Sequence, residues 1–289
     1  MPAAIEIRGL KKSFGGFTLG PIDMTVPEGA IYGLVGPNGA GKTTTIDLLF
    51  GMGAKDAGHI TVLGLDHLRD EVAMKQQVGY VSPDLAYSPW GRVGRVIQFV
   101  KGFYPSWDDA YCEQLLRSLK VGTRETVMSL SFGARIKLSL ILALSWRPKL
   151  LILDEPTVGV DAISKQEIFG ELLSAVGGGE RSVLISSHGL TDLERFADHL
   201  GMIKNGRMIF EGSTADIIAR HRIVDFMSTE ASRIADRPGV FVQRKDANRW
   251  RVLLDLQLAS IEWLRESGAT SISEAPVTLE ELFVAIGRE

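Results

Sequence analysis

IYGLVGPNGAGKTTTIDLLFGM, Ile31–Met52, divides into three parts. The run Ile31–Val35 is short, apolar and β-prone, and a glycine-rich segment separates it from an amphipathic stretch that starts near Thr44. The order strand, loop, helix follows. Gly36, Pro37, Asn38, Gly39, Ala40, Gly41, Lys42 and Thr43 satisfy G-x-x-x-x-G-K-[ST] where the strand hands over to the helix. Glycines at these positions let backbone N–H groups turn inward around phosphate oxygens, and the helix start adds its positive dipole end. Lys42 is then placed to reach β- and γ-phosphates, the Thr43 hydroxyl to ligate Mg²⁺, and Thr44 to complete the cradle.

Working outward, LLILDE at Leu150–Glu155 and SVLISS at Ser182–Ser187 read as two more buried strands. Continuous apolar strands separated by helices imply a parallel sheet covered on both faces. A carboxylate at the end of such a strand, Asp154, falls where the glycine loop holds a metal-bound triphosphate, and Glu155 beside it can orient or deprotonate a water. SKQE (Ser164–Glu167) and TDLE (Thr191–Glu194) have capping-box spacing and are expected to open helices. The alternation of AIEIRGLKKSFGGFTLGPIDMTV and of HITVLGLD adds an antiparallel β flank, whereas residues from about 84 to 146 have helical periodicity.

The tail has its own pattern. It contains a hairpin turning near Asp246–Asn248, a helix around Leu258–Arg265, a short strand near Ser271, and a last helix opened by TLEE at Thr278–Glu281. The expected organisation is a nucleotide-binding unit over residues 3–220, with a helical insertion at about 84–146, followed by a small α+β unit over 221–289.

Bulk properties narrow the function. The 289 residues are 45% hydrophobic and 23% charged, with 32 basic against 35 acidic side chains, so nothing suggests disorder or a global nucleic-acid-binding surface. The tail from Arg222 carries 9 basic and 11 acidic residues, again no basic patch. The greasiest run, Leu138–Trp146, is about half the ~18 residues that span a bilayer. A single cysteine, Cys112, and an N-terminus without a secretory pattern fit a reducing cytoplasm. Cys112 reads as a small core filler, and His59, His67, His199 and His221, without ligand spacing, as surface or helix-end residues.

Four further stretches complete the pattern. LSFGA at Leu130–Ala134 precedes DEPT by about 20 residues, TVGVD ends at Asp161, ISSH ends at His188, and Phe14 lies in KKSFGG. In order and spacing, across about residues 3–220, they resemble the ATP-binding subunit of ABC transporters, and the bacterial ABC-2-type exporter subgroup within it. LSFGA is similar to the family signature LSGGQ; Phe132 and Ala134 depart from it, while the Ser131 hydroxyl and Gly133 N–H remain as donors at a helix start.

The resemblance implies an α/β P-loop NTPase core with an antiparallel β flank and a helical signature subdomain. It implies ATP and Mg²⁺ as cofactors, with Phe14 stacking on adenine, Asp161 in the loop that crosses the dimer interface, and Thr43 and Asp154 at the metal. Glu155 and His188 become the catalytic pair. Two copies, identical or paired with a related chain, would clamp ATP head to tail, each between its own loop and the partner's Ser131 and Gly133. Hydrolysis would power a separate multi-span membrane permease, toward export, from the inner face of the cell membrane, with no nucleic-acid partner. The alternatives are a soluble ABC ATPase outside transport and an ATP-binding regulatory subunit.

One departure stands out. After QVGYV the family usually places a glutamine; here Pro83 holds that position, between Ser82 and Asp84. The aromatics Trp90, Phe99, Phe103, Tyr104 and Trp107 form either a groove for a partner helix or the core of the helical subdomain.

Overall fold

The computed structural model describes residues 2–84, 87, 91–177, 179, 181–189, 193, 194, 196–229 and 234–287. The chain forms two compact units, one of Met1–His188 with Gly201–Phe210, the other of Gly189–Leu200 with Glu211–Glu289.

The first unit opens with the antiparallel pair β1 (Ala3–Phe14) and β2 (Phe17–Pro27), closed so that Phe14 faces Phe17. Then come β3 (Ile31–Val35), α1 (Lys42–Leu49), β4 (Ala57–Val62), β5 (Leu65–Asp66), α2 (Glu71–Lys75) and β6 (Val78–Val81). The helical region holds α3 (Val93–Lys101), α4 (Asp109–Ser118) and α5 (Phe132–Leu144). It leads to β7 (Leu150–Leu153), α6 (Ala162–Val176) and β8 (Ser182–Ser187). A hairpin of β9 (His199–Lys204) and β10 (Arg207–Ser213) turns at Asn205–Gly206, both at positive φ, as a two-residue Asn-Gly turn requires.

Two sheets result, in the orders β2-β1-β4-β5 and β10-β9-β3-β8-β7-β6. In the second, β3, β8, β7 and β6 pair in parallel. Every residue of β3, β7 and β8 is buried, which explains the apolar runs Ile31–Val35, Leu150–Leu153 and Val183–Ile185, whereas β2 is buried only at alternate positions along its inner half. One core joins the two sheets and α1, with Ile5, Ile7, Leu34, Ile46, Leu49, Ile60 and Leu184 almost fully enclosed. Each such side chain contributes roughly 1.5–3 kcal/mol. The register sets the chemistry: Val35 pairs with Ser187 and Leu153 with Ile185. The residues that follow these strands, Gly36, Asp154 and His188, therefore leave the sheet at one edge.

The greasy run at Leu138–Trp146 belongs mostly to α5, whose residues from Ile136 to Leu144 are all buried. No described helix is long and apolar enough to cross a membrane. Lys137 of α5, itself buried, is matched by Glu167 of α6, which Lys120 also reaches at 2.7 Å.

Helix α6 starts a turn earlier than SKQE suggests. The Asp161 carboxylate caps it by accepting from the Ile163 and Ser164 N–H groups at 3.1 and 2.9 Å, so Ser164 is interior and Glu167 is free for its lysines. Thr191, first residue of the other expected box, and Trp90 lie outside the described residues. The remaining aromatics divide. Tyr104 stacks on Trp146 with centroids 4.3 Å apart, while Phe99 and Phe103 meet edge to face and stay exposed. Cys112 is buried, as expected of a core filler. His67 corrects the surface reading: it is buried, with Nδ1 3.2 Å from the Ile60 carbonyl oxygen.

In the second unit α7 (Thr214–Arg220) is capped by Ser213 and runs into β11 (His221–Met227). The hairpin β12 (Val240–Asp246) and β13 (Arg249–Asp255), α8 (Ile261–Glu266), β14 (Thr270–Pro276) and α9 (Leu279–Gly287) follow. The antiparallel order β12-β13-β11-β14 makes β11 a central strand, which the sequence reading does not single out. Phe226, Trp250, Val252, Leu254 and Leu264 fill its core. Ser260 starts α8 by accepting from Trp263 N–H at 3.1 Å. The TLEE box forms in both directions: Thr278 N–H donates to Glu281 Oε2 at 3.0 Å, and Glu281 N–H to Thr278 Oγ1 at 3.2 Å.

At the end of β13, Asp255 is 5% exposed and accepts from Arg220 Nε at 2.7 Å and from its Nη2. Burial pushes the Asp255 carboxyl upward, but the Arg220 hydrogen bonds outweigh this and hold it below its usual range. Replacing Arg220 with alanine is expected to cost about 3 kcal/mol, the low end for a stranded buried carboxylate because Arg220 is itself partly exposed. A lowered folded pKa gives stability that is present above the unfolded carboxylate value and is lost as pH falls through the folded one. The deficit of Arg220→Ala should therefore be full near neutrality and shrink as the pH falls through the lowered value that Asp255 has beside Arg220. Denaturant titrations near neutrality and in acid check this, and a deficit that grows in acid would contradict it.

Candidate nucleotide-binding site

The loop between β3 and α1 is shaped by backbone demands. A Cβ on Gly36 would lie 2.1 Å from the Ile203 carbonyl oxygen, and Gly41, at φ 112°, would drive one to 2.6 Å from Leu19 Cδ1. No other residue type fits either place. Gly36 N–H donates to the Ser187 carbonyl at 3.3 Å, tying the loop to the end of β8, and Thr45 Oγ1 donates to the Gly41 carbonyl at 2.8 Å. Helix α1 then begins at Lys42, and the N–H groups of its first turn have no partner within the helix.

Around this loop lies a groove of about 860 Å³, lined by Asn38 to Thr44 together with Phe14, Phe17, Pro83, Glu155, Val158 and His188. Phe14 is half exposed at the tip of the β1–β2 hairpin, stacked on Phe17 at 6.4 Å and with Lys12 Nζ 5.8 Å from its centroid. An apolar platform thus stands at one end of the groove and a helix N-terminus beside it.

The charged centre is compact. Lys42, 5% exposed, donates to the Gly36 and Pro37 carbonyls at 2.8 and 3.2 Å, and its Nζ lies 3.0 Å from Glu155 Oε1. The other Glu155 oxygen is 2.7 Å from His188 Nδ1. Burial would raise the Glu155 carboxyl, but the hydrogen bonds from His188 and Lys42 prevail and keep it below its ordinary value, ionised at neutral pH. Glu155 also sits at φ 47°, a backbone region that costs a non-glycine residue about 1 kcal/mol or more.

Asp154 is buried at the end of β7, with Oδ1 taken by the Ser186 hydroxyl at 2.5 Å. Its Oδ2 and the Thr43 hydroxyl receive no hydrogen bond from a described side chain, and a pair of uncommitted oxygens is the donor type Mg²⁺ uses beside phosphate. Asp47, on the same face of α1 as Thr43, has its carboxyl raised by burial and then by Asp154 and Asp84.

Ser131, Gly133 and Asp161 do not line this groove. Ser131 caps α5, accepting from Ala134 N–H at 3.1 Å, and a Cβ on Gly133 would meet Ser164 Oγ at 3.2 Å and Asp161 Oδ2 at 3.5 Å. These three gather where α5 meets α6. The departure Phe132 rests beside Gly159, with the Arg135 guanidinium 5.8 Å from its ring centroid. In place of the family's glutamine, Pro83 lines the groove, and Ser82 Oγ accepts from Asp84 N–H at 3.2 Å.

Sequence reasoning missed Phe17, Val158 and Ser186. Phe17 was within reach, three residues past Phe14 across a two-glycine turn. Ser186 is part of ISSH itself, but only the strand register shows which serine turns toward Asp154.

A glycine loop on a helix N-terminus, a lysine, and a strand-end Asp-Glu pair at one edge of a parallel sheet define a P-loop nucleotide-binding protein. A family model for the ABC transporter matches residues 19–158. The Nod factor export ATP-binding protein I of Paraburkholderia xenovorans (strain LB400) is 31% identical over 99% of this chain and 98% of its own length. The ABC transporter ATP-binding protein YtrB of Bacillus subtilis (strain 168) is 29% identical over 97% of each. Among solved structures, an ATP-binding subunit of an ABC transporter superposes with a TM-score of 0.67 at 24% identity, covering 75% of this chain and 92% of that one. The chain belongs to the ABC transporter family, as an ATP-binding subunit with ATPase activity coupled to transport.

Proposed function

We propose that the chain is the Mg²⁺-dependent motor of an exporter, working as one half of a head-to-tail pair on the inner face of the cell membrane. The observation that carries this reading is the division of the site. Lys42, Glu155 and His188 meet in one groove, whereas Ser131 and Gly133 stand away from it, at the start of α5. A second copy, or a related chain, that brings its own Ser131 and Gly133 to this groove would supply the missing donors for the γ-phosphate.

In this reading Phe14 stacks on adenine, while Asn38 to Thr44 wrap the phosphates with backbone N–H groups. Lys42 exchanges Glu155 for phosphate oxygens. Thr43 and Asp154 are the residues that would hold Mg²⁺, which would offset the negative charge of the phosphates. Glu155, ionised, takes the proton of the attacking water, and His188 keeps the carboxylate in line through its 2.7 Å contact. Asp161, capping α6 beside Gly133, carries the state of one site toward the other. The dependence on a membrane partner follows from the family; export is supported by the Nod factor export relatives. No nucleic-acid partner is expected, given a net charge of −3.

Affinity purification from detergent-solubilised membranes tests the assignment. It should recover a protein with about six apolar segments of bilayer length. Recovery of ribosomes or DNA instead would overturn the transporter reading in favour of a soluble ABC ATPase.

A further inference from the structure

We propose that Ser186 is a positioning residue whose single hydroxyl fixes the Asp154 carboxylate and the Glu155 backbone together. This rests on the reading of Asp154 as the metal-side carboxylate and Glu155 as the base. The ladder between β7 and β8 pairs Leu150–Leu153 with Ser182–Ile185 and then stops. Asp154 N–H turns the other way, to the Val81 carbonyl of β6 at 2.9 Å. The next amide, Glu155 N–H, is met by the Ser186 hydroxyl oxygen at 2.9 Å instead of a backbone carbonyl. The same hydroxyl donates its proton to Asp154 Oδ1 at 2.5 Å.

Ser186 is fully buried, in a strand of which every residue is enclosed. A hydroxyl in such a place is costly unless bonded, and this one is bonded as donor and as acceptor. Two consequences follow. With Oδ1 committed to Ser186, Oδ2 is the oxygen Asp154 has left for Mg²⁺. With its N–H held, Glu155 keeps the φ of 47° from which its side chain reaches both His188 and Lys42. Strand β8 and the histidine that follows it thus deliver three successive contacts: the Ser186 hydroxyl to the Asp154 carboxylate and the Glu155 N–H, the Ser187 carbonyl to Gly36 N–H, and the His188 ring to the Glu155 carboxylate.

The test compares Ser186→Thr, which keeps the hydroxyl, with Ser186→Val, which has the same shape without it. The valine chain should lose about 10- to 100-fold in kcat and need about tenfold more Mn²⁺, read by electron paramagnetic resonance of the ATP complex. Its ATP affinity in EDTA should stay within about twofold of wild type, because the loop and Lys42 are untouched, and the threonine chain should stay within about threefold in every readout. Thermal melting accompanies each variant, and Ser186→Ala replaces the valine chain if that does not fold. Threonine and hydroxyl-free chains that match in kcat and in Mn²⁺ demand overturn the assignment. A Glu155→Gln control separates the two ideas: if it keeps wild-type turnover, the base reading fails first; if it is inactive, matching variants sink Ser186 alone.

Discussion

Glu155→Gln is expected to stop steady-state ATP hydrolysis, lowering kcat by about 100-fold or more, the scale set by losing a positioned base. The amide is nearly the same size, so the turn after β7 and the Ser186 bond to its N–H should survive. What disappears is the carboxylate charge between His188 and Lys42, and with it, in the proposed mechanism, the acceptor for the water's proton. In the head-to-tail pair proposed above, closure needs ATP and reopening needs hydrolysis, so the variant should accumulate as an ATP-loaded dimer. Turnover assays and size-exclusion chromatography in ATP and Mg²⁺ measure both effects. Wild-type turnover in this chain would remove Glu155 from the mechanism.

Lys42→Ala acts on the preceding step. Its ammonium, 5% exposed, is the cationic side chain that lines the phosphate end of the groove among the described residues. Each charge-assisted hydrogen bond it gives a phosphate oxygen is worth about 1.5–3 kcal/mol, so its removal should weaken ATP binding by roughly ten- to hundredfold. The alanine chain should also shed nucleotide-dependent dimerisation, in contrast to the trapped glutamine chain. Titration with a fluorescent ATP analogue reads the affinity. An unchanged Kd would mean that the backbone N–H groups and Phe14 carry binding by themselves.

Much of this site is legible in the sequence because its parts are local. A glycine loop, an Asp-Glu pair after an apolar run and a histidine two residues past Ser186 are written as short phrases, and the parallel register brings them to one edge. What was less legible depends on contacts between distant segments. The start of α6 moves to Asp161 because that carboxylate reaches two backbone N–H groups, a better cap than the Ser164 box. His67 is buried because β4 offers it the Ile60 carbonyl, a partner seven residues away that no spacing rule announces. The central place of β11 follows from pairing with β13 and β14, both later in the chain, and its own seven residues carry no mark of it. Ser131 and Gly133 stand at a helix start, where the sequence reading has them, yet sequence says nothing of how far they stand from the loop within one chain.

The 3.0 Å contact between Lys42 and Glu155 reaches past catalysis. An ammonium N–H given to a carboxylate is withheld from a phosphate, so Glu155 behaves toward ATP as a tethered competitor whose effective concentration is set by the fold. The affinity of this chain for ATP should therefore be a difference between two ion pairs, and the residue proposed as the base should also set how readily nucleotide is admitted.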